Sequence, residues 1–256
     1  MEDGMIYAEH QFAKLFNIKN AVIWRYMDLP KFLSLILDKS LFYTRADKFE
    51  DKLEGEITRE TKLLMFENMR VIKEKFPIVL NNLHSDDPEE YIEVLKDKTY
   101  VNCWHINKHE SNTMWKAYAP GDYGIAIKSN TELLRNCFRI DSSEIVLGEV
   151  KYINVEVDIT PTGLPHYVFL QKDSSYTHES EARSFFIELH SKAVAVPDND
   201  RSQFGIKIPI DLNILIDGIY LKDSAPGWFR KNITDLLLIS GLETNLIKTS
   251  RIQTRK

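Results

Sequence analysis

Cysteine is scarce in this chain. Cys103 and Cys137 are the two in 256 residues, and they show no CxxC spacing. That excludes a disulfide framework and points to a reducing, cytoplasmic setting. Glycine is also sparse, at ten residues, and none falls in a GxGxxG or GxxxxGK[ST] pattern. A Rossmann fingerprint and a P-loop are therefore not expected. GxSxG and HExxH are missing as well, which leaves no nucleophile elbow and no zinc-protease helix. The longest apolar run, "DLLLIS", is far short of the roughly 20 residues that span a bilayer, so no membrane association is expected. The opening "MEDGMIYAEH" is mixed and partly acidic and does not read as a secretory signal. Neither sign of charge dominates: 33 Lys and Arg stand against 38 Asp and Glu, a formal net charge of -5. Binding to polyanions by bulk charge is thereby disfavoured.

What is present is enough apolar material for one large domain: 43% of residues are hydrophobic. "VIWRY" (22–26) reads as a strand, "LPKFLSLILDKS" as a helix with Pro30 in its first turn, and "LFYTRA" as a second strand. Residues 56–82 carry an amphipathic helical pattern, and "DDPEEYIEVLKDK" forms another helix with Pro88 at its start. Together they suggest a helical lobe over 56–98 within a single domain, 1–256. "TYVNCWHI" is strand-like, "ESNTMWKAYA" helical, and "PGDYG" a turn into the strand "GIAIKS". The second half is strand-rich, with one late helix, "GWFRKNITDLLLISGL", stopping at Gly241. The expected class is α+β, with mixed, mostly antiparallel sheets, helices early in the chain and a helical insertion.

The segment "YTHESEARSFF" (176–186) raises the chemical question. As a strand it puts Glu179, Glu181 and Arg183 on one face and Ser180, Ala182 and Ser184 on the other. Such a face is either solvated surface or an acidic pair on a rigid element. Arg25, in an otherwise apolar strand, needs a partner. Trp24, Trp104, Trp115 and Tyr118 suit core positions, and Cys103 beside His105 suits an inert buried thiol. His105 and His109 stand four apart near Cys103, but the segment reads as a strand end, and no metal is expected. Asp51, Glu54 and Lys172 would suit a nuclease-like effector only if further carboxylates gathered near Lys172.

The pieces "IWRYM", "LFYTRADKFEDKLE", "NCWHINKHESNTMWKAYAPGDYGIAI" and "K…HESEAR" occur in the order found in the bacterial domain of unknown function 2971 proteins. The chain resembles that family over nearly its whole length. It departs at Glu50-Asp51-Lys52, where the family has an Asn-Asp-Pro turn, and at Trp104. Several members of the family sit near phage-defence genes. More distantly, the succession of an Arg-bearing strand, a helix, a strand and a late Glu-led strand resembles ADP-ribosyltransferases. That resemblance implies NAD as substrate, with Arg25 on the dinucleotide, Tyr43 or Thr44 supporting the nicotinamide ribose, and Glu181 on the ribose hydroxyl. Glu179 would be the other member of an ExE pair. Trp115 and Tyr118 compete to stack on nicotinamide, and Arg183 would tie Glu181 in place. The implied function is an ADP-ribosyltransferase acting on a protein or nucleic-acid acceptor, a toxin or antiphage effector. NAD hydrolysis and a non-catalytic nucleotide-binding sensor are the alternatives.

Overall fold

In the computed structural model, residues 18–49, 54–66, 87–155, 157–160, 165–188 and 200–252 are described. Among the described residues the first elements are strand β1 (Val22–Met27), a helix (Leu29–Asp38) and strand β2 (Ser40–Arg45). The helix starts where Asp28 accepts a hydrogen bond from the Lys31 backbone N–H, with Pro30 in the first turn. It buries Phe32, Leu35 and Ile36 and ends at Lys39 in the left-handed conformation, φ 48°. A second helix, Pro88–Lys98, is capped by Asp87, carries Glu89 and Glu90 in its first turn, and buries Tyr91, Ile92 and Leu95. It runs without a break into β3 (Thr99–Ile106) and packs against the sheet with Val101, Phe169 and Phe185. This end of the expected 56–98 lobe is thus part of the body of the fold. Residues 59–66 are helical and Met65 joins the same cluster, while 67–86 lie outside the described residues.

The remaining strands are β4 (Ile125–Asn130), β5 (Val146–Glu149), β6 (Lys151–Ile153), β7 (Gln171–Asp173), β8 (Glu181–Ile187), β9 (Arg201–Ser202), β10 (Gly205–Pro209), β11 (Gly218–Leu221) and β12 (Ile247–Thr249). Ten of them form one sheet, ordered β12-β11-β4-β1-β3-β2-β10-β9, with β8 on β3 and β5 on β8. Pairings are antiparallel except β11–β12 and the separate pair β6–β7. The class is α+β with a mixed, mostly antiparallel sheet. Helices are not confined to the first half, because Thr131–Asn136, Leu212–Leu215 and Gly227–Ile239 alternate with later strands. The expected strand "HYVFLQK" is instead a 3-10 stretch, Pro165–Leu170, followed by β7.

One feature of the sheet positions the site. On one edge of β3, β1 pairs at Ile106 and His105, whereas β2 pairs at Val101 and Tyr100. Between them, residues 102–104 pair with neither strand. The sheet forks there, and the Asn102 side chain donates to the Phe42 carbonyl in the gap, 2.8 Å. The other edge of β3 is fully taken by β8, with His105 opposite Glu181 and Cys103 opposite Arg183. Both faces of this central region are covered, so β8 is buried at every position.

Candidate active site

A cavity of about 490 Å³ opens at the fork. That volume is in the range of small-molecule sites. Arg25, Thr44 and Cys103 line it at the splayed strands, and Glu54, Glu179 and Glu181 line its acidic wall. Tyr118, His105 and Lys172 complete that wall.

The acidic wall is a buried ion network. Relative exposures are 0% for Arg183, 5% for Glu181, 7% for Glu179 and 9% for Lys172, which overturns the surface-strand alternative. Arg183 donates from Nε and Nη2 to the two carboxylate oxygens of Glu181, at 3.1 and 3.0 Å. It also donates to Glu54 and, at 2.9 Å, to the Phe169 carbonyl. Such a fork-to-carboxylate pair fixes geometry as well as charge. Lys172 donates to Glu179 at 2.6 Å and stands 3.8 Å from Glu181 and 3.9 Å from Glu54. Its ammonium also lies 4.6 Å from the Tyr176 ring centroid.

Glu179 and Glu181 share the cavity, but not by strand alternation. Strand β8 begins at Glu181, and Glu179 closes a 3-10 turn, Ser174–Glu179. Ser180 joins them at φ 40°, a left-handed residue that swings Glu179 toward the fork. Three contacts then hold Glu179. The Tyr118 hydroxyl donates to one oxygen at 2.6 Å, Lys172 takes the other, and the His105 ring binds its backbone carbonyl. The Glu181 backbone N–H is itself satisfied by the Tyr152 hydroxyl, 2.9 Å.

Burial and charge compete at each group. Burial alone would push the Glu181 carboxyl up, but the charge and hydrogen bonds of Arg183, aided by Lys172, hold it below the usual carboxylate range. Glu54 goes the other way: burial pushes its carboxyl up, and Arg183 does not fully offset it. Burial opposes the charge on Lys172, yet Glu181 and Glu54 outweigh it and raise its pKa. Burial also drives the Cys103 thiol well up and lowers His105, consistent with an inert thiol and a neutral imidazole.

At the splayed strands, Arg25 lies over the Trp104 ring, 5.9 Å from the guanidinium carbon to the centroid. Its Nη1 is buried and has no hydrogen-bond partner among the described residues. An unpaired buried donor is costly, and burial accordingly opposes its charge.

Thus the fold gathers Arg25, Thr44, Tyr118, Glu179 and Glu181 around one cavity, with Arg183 directly behind Glu181. Tyr43 and Trp115 are placed elsewhere. Tyr43 points into the core on the other face of β2, bonded to Ser184 at 2.7 Å. Trp115 is buried with Trp24, Tyr26 and Met114 and donates to Glu110 at 3.0 Å. The sequence marks Glu54 and Lys172 as parts of the family pattern and of a nuclease-like alternative, but their contact with the glutamate pair has no signature in spacing; a lysine beside the apolar run "HYVFLQ" is a signal of a buried partner. Among the described residues no group of three His, Cys, Asp or Glu is arranged to hold a metal ion. The three carboxylates are instead drawn to Lys172 and Arg183, and Asp51 lies outside the described residues.

No family model matches the chain, and neither does any curated protein. Among solved structures, it is similar to Thermus sp. 2.9 DarT in complex with ADP-ribosylated ssDNA. The identity is 10%, over 89% of this chain and 96% of that one, with a TM-score of 0.33.

Proposed function

We propose that the cavity at the sheet fork is an NAD site and that the protein is an ADP-ribosyltransferase-type enzyme related to the domain of unknown function 2971 proteins. One observation carries the reading. Arg25, with a buried unpaired donor, and the Glu179–Glu181 pair line the same cavity.

The chemistry follows from the residues. Heterolysis of the bond between the nicotinamide nitrogen and ribose C1′ sends the electron pair to the ring, which leaves as neutral nicotinamide. The ribose is left as an oxocarbenium cation, as in glycoside cleavage. Glu181 is held ionised at neutral pH by Arg183 and supplies a preorganised negative charge beside that cation. An acceptor oxygen or nitrogen then bonds to C1′, and its proton passes to Glu179, whose position is fixed by Tyr118 and Lys172. Arg25 and Thr44, at the splayed strands of the same cavity, hold the dinucleotide. With water as acceptor the same steps constitute NAD hydrolysis. With a nucleic acid or a protein they constitute modification of a macromolecule, the activity of a toxin or antiphage effector.

The test is nicotinamide release from NAD by purified wild-type protein and Glu181→Gln, alone and with single-stranded DNA or cell lysate. Release by wild type, slowed at least ~100-fold in a folded Glu181→Gln protein, is the expected result. NAD-dependent thermal stabilisation without release would favour a binding module. Neither release nor stabilisation would overturn the assignment.

A further inference from the structure

Strand β8 has a second face, which the chemistry above leaves unused. Glu181 and Arg183 form the acidic wall on one face, so Ser184 points to the other. A separate cavity of about 200 Å³ lies there and shares no lining residue with the cavity at the fork. It is lined by Leu134 and Arg135 of the helix Thr131–Asn136, by Phe138 and Ile145 of the connection that follows, by Leu147 of β5 and by Ser184. Leu147 stands directly opposite Ser184 in the β5–β8 ladder, which puts the two side chains on one face. Burial orders the lining. Leu134, Leu147 and Ser184 are buried, Phe138 and Ile145 are half-buried, and Arg135 is exposed. Arg135 thus marks the solvent end and Ser184 the inner end.

Both ends have unused hydrogen-bonding capacity. At the inner end the Ser184 and Tyr43 hydroxyls share one hydrogen bond, 2.7 Å. Two hydroxyls carry two protons, so one proton has no acceptor among the described residues. The Asn102 side-chain oxygen, across from Ser184 on β3, is already taken by the Trp104 Nε1–H at 2.7 Å. When the Tyr43 hydroxyl donates, the spare proton sits on Ser184, where a ligand in the cavity relieves the cost of leaving it buried and unpaired. At the solvent end the Arg135 Nη2 donates to the Ile18 carbonyl at 2.9 Å, and its other donors have no partner among the described residues. Arg139, one turn on, is by contrast paired with Asp211 at 3.0 Å.

The geometry points to a binding site for a single-ring aromatic carboxylate that carries a polar atom opposite its acid group. The carboxylate meets the planar donor fork of Arg135. The ring lies among Leu134, Phe138, Ile145 and Leu147, and the far polar atom accepts the Ser184 proton. The size agrees, since an apolar cavity of roughly 150 Å³ takes up benzene. This site is independent of the NAD reading, because it lies on the other face of the strand and uses none of the same residues.

The test is calorimetric titration of the full chain with 4-hydroxybenzoate as the probe. Wild type binds it with a Kd at or below ~1 mM, and binding raises the thermal midpoint. Benzoate, which cannot accept the Ser184 proton, binds ~5- to 10-fold weaker. Arg135→Met, a surface change, weakens 4-hydroxybenzoate ~10-fold or more and leaves phenol, which has no carboxylate, within about twofold. Ser184→Ala lowers the affinity for 4-hydroxybenzoate to that for benzoate. Ile145→Trp fills the cavity and abolishes binding of all three probes, with circular dichroism as the check on folding. No saturable binding below ~10 mM would overturn the site. So would a Kd that Arg135→Met and Ile145→Trp leave unchanged, which would put the probe elsewhere on the protein.

Discussion

Replacing Arg183 with methionine leaves Glu181 and Glu54 with Lys172 as their remaining cation among the described residues, at 3.8 and 3.9 Å. Methionine keeps most of the volume, so the loss is electrical and not a cavity. Each carboxylate gains about 4 kcal/mol of attraction from Arg183 at an effective dielectric near 20, set against the cost of burying the guanidinium. Removing one member of a buried ion group leaves an uncompensated charge and costs about 3–5 kcal/mol, and the Phe169 carbonyl loses its donor as well. The expected loss at pH 8 is therefore about 4 kcal/mol, a large part of a typical stability of about 5–15 kcal/mol. The sign with pH follows from linkage. In the wild type the Glu181 pKa is depressed, so its contribution is full above the unfolded value and is lost as pH falls through the folded value. Without Arg183, burial dominates and the pKa rises above the unfolded value. The penalty then fades toward acid, by about 1.4 kcal/mol per pH unit wherever the folded variant holds one proton more than the unfolded chain. Urea unfolding followed by tryptophan fluorescence at pH 5 and pH 8 measures both numbers. A loss under about 1 kcal/mol at pH 8, or the same loss at both pH values, would refute this account of the network.

Tyr43→Phe removes the bond to Ser184 and strands a buried hydroxyl, costing about 1–2 kcal/mol of stability. Because the ring faces the core, the KM for NAD stays within about twofold of wild type; a tenfold rise would put Tyr43 back in the site. Gly205→Ala sets a Cβ 2.1 Å from the Tyr43 carbonyl oxygen, where β10 passes β2, at φ 157°. It destabilises by about 1–3 kcal/mol in thermal or urea unfolding, and a neutral result would mean that this edge yields freely.

Local signals in the sequence carried most of the element order. Asp28 with Pro30, and Asp87 with Pro88 and two acids, marked helix starts because an N-cap oxygen and a fixed φ act within one turn. Gly241 marked the stop of the late helix for the same kind of reason, at φ 76°. "TYVNCWHI" was legible as a strand, Thr99–Ile106, from its β-rich composition. "HYVFLQK" was not, since a short apolar run fits several backbones and packing against Phe185 decides among them. The alternation within "EARSFF" correctly separated Glu181 and Arg183 from Ala182 and Ser184.

The sequence by itself determined which residue types were available and which neighbours share a face, because those depend on bonds and periods of a few residues. Tertiary structure alone decided that Glu54 meets Arg183 across 129 positions, and that Lys172 bridges three glutamates. It likewise turned Tyr43 inward while Thr44 faced the cavity, a choice set by which face of β2 the core covers. The fork itself has no signature in any short segment. It exists because β1 and β2 each pair with a different stretch of one edge of β3, and register between distant strands is settled by packing rather than by local preference.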